Sequence, residues 1–221
     1  MKKYNVRVIL FTAALCVLLS FFPIKGYAET MTLTLESVGG QSSGPDYVYP
    51  YDFSFDGSTT LTPLMCISYE NEIYFGESWT ATLMPISGNA LFVEAAYIFS
   101  LAAAPGASAT TIAEAQWANW ELFDPGDTNL LNNVPAGYQG DINTMLDTAS
   151  NFAQNNVNTT LYSNLNIFAP TLGSQTEGGL PQYFIGDPQP SSDTPEPSSF
   201  ILFGSGLFGL AALWLRRKCV V

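Results

Sequence analysis

The chain has 221 residues, a formal net charge of −12 and no histidine. Its seven basic side chains all lie at the two ends, as Lys2, Lys3, Arg7, Lys25, Arg216, Arg217 and Lys218, and its nineteen acidic ones all lie between Glu29 and Glu196. A central domain without a cationic side chain cannot neutralise phosphates, which excludes nucleic-acid binding, and cannot run chemistry that needs His, Lys or Arg. No internal ion pair is possible either, so stability must come from apolar burial and hydrogen bonds. A polyanion attracts divalent cations, and Ca²⁺ needs only oxygen ligands. Yet no Asp-x-Asp-x-Asp-Gly loop occurs, and Asp124-Pro125-Gly126-Asp127 reads as a turn. No catalytic residue, metal ligand or cofactor is assigned, and the protein is expected not to be an enzyme.

Residues 1–28 read as a signal peptide. Lys2, Lys3 and Arg7 form its positive region, Val8 to Phe22 its apolar region, and Gly26-Tyr27-Ala28 a small-residue cleavage site, with cleavage expected after Ala28. Cys16 leaves with that segment and Cys219 lies at the far end, so Cys66 is alone in the exported domain. No intrachain disulfide is open to it in a compartment that favours them.

Residues 29–186 form the expected exported domain, long enough for one real core. Its first part reads as strands. Met31 to Glu36 alternates polar and apolar residues, Val48 to Phe55 is rich in Tyr and Phe, Thr59 to Ser68 carries Leu61, Leu64 and Ile67, and Ser78 to Met84 alternates again. The period then changes to helical. Helices are expected near 90–103 with Asn89 as cap, 111–123 stopped by Asp124-Pro125-Gly126, and 141–154. Leu161 to Phe168 and Gln182 to Ile185 read as closing strands. The fold class expected is α+β: a β-rich sandwich or barrel-like domain with an inserted two- to three-helix segment, plus a C-terminal transmembrane helix.

Residues 187–197 are a Pro/Ser/Asp linker. In 198–221, Phe200 to Leu215 carries no charge over sixteen residues, and Arg216, Arg217 and Lys218 follow as a membrane stop with a cytoplasmic tail. Pro195-Glu196-Pro197, the hydrophobic helix and the terminal basic cluster together resemble the PEP-CTERM sorting signal of Gram-negative bacteria. The resemblance covers about the last twenty-seven residues. It implies an exosortase as partner, a membrane helix that is transient, and a mature protein in the periplasm, at the cell surface or in a biofilm-type matrix. Pro195 and Pro197 keep the motif extended, as a processing site requires.

A second resemblance lies between residues 60 and 125. Cys66, after Leu64-Met65 on a strand, and Gln116-Trp117-Ala118-Asn119-Trp120 on a helix are similar to the thioester domains of bacterial surface adhesins, where a strand Cys is joined to the Gln of a Gln-x-Ala-Ile-Trp motif. Asn119 stands at the Ile position and Met65 where an aromatic residue usually precedes the Cys. The resemblance implies that Cys66 and Gln116 form an internal thioester, an electrophile for a lysine amine or a hydroxyl on a target.

Two functions follow as expectations. One is adhesion or matrix attachment, to an exopolysaccharide or a surface protein, through Cys66 and Gln116. The other is a non-covalent glycan-binding module in which Cys66 is a buried structural thiol, with Tyr47, Tyr49 and Tyr51 on one strand face as candidate sugar contacts. Glu70 and Glu72 are the closest approach to a paired-carboxylate glycosidase motif, a remote third reading.

Overall fold

The structure, a computed structural model, describes residues 29–39 and 41–188. The signal peptide, the Pro195-Glu196-Pro197 motif, the apolar run and Arg216, Arg217 and Lys218 lie outside the described residues. Among those described, no helix is long and apolar enough to cross a membrane.

Strand alternation sets the barrel. β1 (Thr30–Val38) buries Met31, Leu33 and Leu35 and turns the residues between them outward. β6 (Ser78–Pro85) does the same with Trp79, Ala81 and Leu83. A period of two places one row of side chains on each face, so each strand supplies one inward row. With β4 (Tyr51–Phe55), β5 (Leu61–Cys66), β7 (Asn166–Pro170) and β8 (Phe184–Gly186), these strands close an antiparallel barrel in the order β1-β4-β5-β8-β7-β6. β2 (Ser42–Ser43) and β3 (Asp46–Tyr47) make a small separate ribbon. Closure resolves the sandwich-or-barrel expectation, and it leaves no unpaired barrel edge.

The barrel is filled by aromatic side chains. Phe184 lies 4.7 Å from Phe53, 5.6 Å from Tyr51 and 6.1 Å from Trp79 between ring centroids, and Phe55 stacks on Phe168 at 5.4 Å. The shortest seam is β5–β8, where only Met65↔Ile185 and Cys66↔Phe184 pair. Pro63 lies just before that seam, paired only with Asp52 of β4, so its missing N–H costs the barrel no ladder bond to β8. Gly186 packs closely here: a Cβ at this position would displace the end of the buried Leu64 side chain.

The helices form a single insertion between β6 and β7: α1 (Ala90–Ala102), α2 (Ala109–Phe123), α3 (Thr128–Asn133) and α4 (Gln139–Asn156). α1 packs between α2 and α4, and it is apolar on most sides because it also meets β8. Asn89 Oδ1 accepts from the Leu91 N–H and Ser108 Oγ from the Thr111 N–H, capping α1 and α2.

The helix expected near 141–154 runs Gln139–Asn156 and the last strand is Phe184–Gly186 instead of Gln182–Ile185, and other elements differ more. α2 starts at Ala109, not Thr111, because Ser108 supplies the cap. A fourth helix, α3, appears in a stretch where no element was expected, capped by Asp127, whose Oδ1 accepts from the Leu130 N–H at 2.8 Å. Val48 to Phe55 is not one strand: β3 ends at Tyr47, and β4 begins at Tyr51, after the cis Tyr49-Pro50 bond. Leu161 to Leu165 is turn, and strand structure begins at Asn166.

Candidate functional site

Cys66 ends β5 and Gln116 sits in the middle of α2, which packs on that strand. Fifty residues apart in sequence, the two meet: Gln116 Nε2 donates to the Cys66 carbonyl oxygen at 2.6 Å. The other end of the same carboxamide is also held, with Gln116 Oε1 accepting the Tyr49 backbone N–H at 3.2 Å. The Cys66 thiol donates to the Ser68 carbonyl at 3.2 Å. Both side chains are wholly buried. Burial pushes the Cys66 thiol up to about 12; the Trp120 indole and the groups of Ser68 act in the opposite direction. At neutral pH the sulfur is therefore a protonated thiol in a dry site.

Helical spacing places Trp120 one turn beyond Gln116, on the same face. Trp117, Trp120 and Tyr69 form a packed cluster, with Trp117 and Trp120 edge to face at 4.9 Å and Tyr69 at 5.2 Å from Trp120. Trp117 Nε1 donates to Ser43 Oγ at 2.9 Å and so pins the β2–β3 ribbon to the helix. Asn119 Nδ2 donates to Met65 Sδ at 3.0 Å. Asn119 and Met65 thus contact each other, while the Asn119 Oδ1 has no hydrogen-bond partner.

Beside this cluster opens a groove of about 820 Å³. Leu35, Tyr51, Trp120 and Gln182 are its buried lining, and the charged residues around it, Asp46, Glu70, Glu72 and Asp127, are all anionic. The Tyr69 ring leans over Trp120, its hydroxyl accepting from Asn133 Nδ2 at 2.8 Å and its backbone N–H held by Asp124 Oδ2 at 2.7 Å. Asp124 accepts from the Tyr69 N–H and Asp127 caps α3, and among the described residues no group of three potential metal ligands occurs.

The tyrosine row is corrected by the break between β3 and β4. Tyr47 is exposed, Tyr49 packs edge to face against Phe99, and Tyr51 is buried, its hydroxyl donating to the Tyr47 carbonyl. Glu70 and Glu72 have different neighbours: Glu70 is raised by Asp127 beside it, and Glu72 accepts from the Tyr74 hydroxyl. Sequence reasoning missed the Tyr49 N–H and the Ser68 carbonyl. Both are backbone groups, and only the fold brings them to Cys66 and Gln116.

Burial raises Asp46, Glu94 and Glu114, the last also through Asp141. A carboxyl raised by folding binds its proton more tightly in the native state, so its contribution is full below the ordinary carboxylate range and is lost as pH rises through the shifted value. Asp127, lowered chiefly by the Leu130 N–H, runs the other way. The urea midpoint is expected to climb as pH is taken down from neutral towards the carboxylate range. A midpoint that falls steadily over that interval would contradict it.

Fold and site together define an antiparallel barrel with a helical insertion and a buried Cys66–Gln116 hydrogen bond, with an acid-rimmed groove nearby. Residues 193–218 match the PEP-CTERM protein-sorting motif, which accounts for the C-terminal segment and not for the barrel. Such motifs mark proteins exported to the cell envelope or surface in Gram-negative bacteria, with exosortase as the processing partner. Comparison with curated proteins and with solved structures finds no match.

Proposed function

We propose that this exported, exosortase-sorted protein is a surface or matrix attachment protein that bonds covalently to its target through a Cys66–Gln116 thioester. The observation that carries the reading is the Gln116 carboxamide, held at both ends beside Cys66. The Tyr49 N–H on Oε1 polarises the carbonyl and is placed to stabilise the oxyanion that forms when sulfur adds to Cδ. In the balanced step the S–Cδ bond forms, the Cδ–Nε2 bond breaks, and the thiol proton leaves with nitrogen as ammonia. A target amine later attacks Cδ, forms an amide with Gln116 and returns the proton to sulfur. Each domain reacts once, so this is self-modification rather than turnover. A neutral thioester is better suited to the dry site than a thiolate, and exclusion of water protects it from hydrolysis. The exported domain has no lysine to compete.

The reading is tested by treating the folded protein with methylamine. A covalent adduct at Gln116 that Cys66→Ser abolishes supports it, and no adduct in the wild-type chain overturns it. The anionic rim adds a prediction about the acceptor. Cationic diamines should open the bond faster than neutral amino alcohols at low salt, and the advantage should shrink as salt screens the rim or in a Glu70→Gln, Glu72→Gln variant. Equal rates at all salt concentrations would remove the groove from the approach path.

A second reading draws on the same groove. Tyr47, Tyr74 and Phe75 line it and are exposed, which suits stacking on sugar rings in a non-covalent glycan-binding module with Cys66 a structural thiol. Loss of polysaccharide binding in Tyr74→Ala, with the methylamine adduct absent from the wild type, would favour it.

A further inference from the structure

Three aromatic side chains are left open on the wall of the groove: Tyr47, Tyr74 and Phe75 are 52, 49 and 59 % exposed. Aromatic faces uncovered together in a concave site suit a ligand with flat apolar faces of its own. Two lining tyrosines also end on a carboxylate. The Tyr74 hydroxyl donates to Glu72 Oε2 at 2.9 Å, and the Tyr69 hydroxyl donates to Asp46 Oδ2 at 3.4 Å. The Tyr74 N–H donates to Glu77 Oε2 at 2.6 Å, which fixes its backbone beside Glu72. Ring and anion are thus presented as one unit at two points of the same groove. The other charged lining residues, Glu70 and Asp127, are acidic too, and no lysine, arginine or histidine lies between Lys25 and Arg216 to balance them. Charge complementarity therefore calls for a cationic ligand.

We propose that the groove binds a cationic amino-sugar polymer, a polysaccharide whose rings carry free amines. The proposal rests on the glycan reading above and is independent of any bond between Cys66 and Gln116. A pyranose lays its C–H face on an aromatic ring and carries its ammonium at the ring edge, where Tyr74 and Tyr69 hold Glu72 and Asp46. Each such unit thus uses both parts of a tyrosine–carboxylate pair. A neutral sugar would use the rings and leave four like charges unrelieved, and an acidic polysaccharide would be repelled. A lysine side chain would use the carboxylates, but it has no flat face to set on the open rings, and its flexible stem costs more to order than a rigid ring. The volume of about 820 Å³ admits a short stretch of such a polymer.

The test is calorimetric titration of the full chain at low salt and a pH of about 6, where carboxylates are ionised and sugar amines protonated. The probes are a glucosamine hexamer, an N-acetylglucosamine hexamer and hexalysine. The glucosamine hexamer should bind at least about 10-fold tighter than the acetylated one, and Glu72→Gln should shrink that advantage, as should added salt. Tyr74→Ala should weaken both sugars. Phe75→Ala, at a more exposed ring, gives the same readout should Tyr74→Ala fail to fold. Equal affinity for the two sugars would overturn the proposal and leave the glycan reading standing. No binding of either sugar would overturn both. Hexalysine bound as tightly as the glucosamine hexamer, with neither affected by the loss of a ring, would show charge attraction alone and overturn the amino-sugar assignment.

Discussion

Intact mass of the exported domain is expected to fall about 17 Da below the value for its sequence, the loss of one ammonia. Cys66→Ala and Gln116→Ala should each abolish that loss, because each removes one end of the bond. The expectation rests on proximity. Once the fold holds the carboxamide against Cys66, an intramolecular attack gains the effective concentration that free partners lack. Its obstacle is the raised thiol, which leaves almost no thiolate at neutral pH, so formation should quicken as pH rises until the fold gives way. The control must respect burial. Cys66 is fully covered in the folded chain, so failure to alkylate it there is uninformative. Intact mass read in acid, followed by alkylation of the urea-unfolded chain at neutral pH, decides the matter: an undiminished mass with one reactive thiol at Cys66 ends the thioester reading.

Phe184→Ala is expected to cost about 3–5 kcal/mol, measured as a lower urea midpoint with the slope preserved. Phe184 is wholly buried and touches Tyr51, Phe53 and Trp79, so truncation leaves a cavity ringed by large, rigid groups that cannot easily collapse. It also pairs directly with Cys66 across the β5–β8 seam. Loss of stability and loss of thioester formation should therefore appear together in this variant. A loss near 1 kcal/mol would mean that the barrel interior is more plastic than its packing implies.

Much of this was legible in the chain. Alternation in β1 and β6 and the caps Asn89 and Asp124-Pro125-Gly126 located their elements to within a few residues, since periodicity and capping are local chemistry. Cys66 and Gln116 could be paired only by resemblance to a motif; no local rule brings a strand end to a helix middle fifty residues on. The tyrosine row misled because alternation was read through Pro50, where the chain breaks its strand. The groove had no signal at all, being assembled from the loop after β5, the ribbon and the turn before α3. The Asn119–Met65 contact was likewise hidden, as two separate departures from a pattern become one interaction only in space.

The two-pair seam between β5 and β8 has a mechanical consequence. β8 ends at Gly186 and is the last regular element among the described residues, and it is also the strand beside Cys66. A target joined at Gln116 and held against a tethered tail would load α2, β5 and β8 in series. Tension would leave through the shortest ladder in the barrel, while β1, β4 and the remaining helices stayed outside the line of force. Under steady pulling, β8 should be the first strand to yield, releasing the tail as slack while the bond to the target endures.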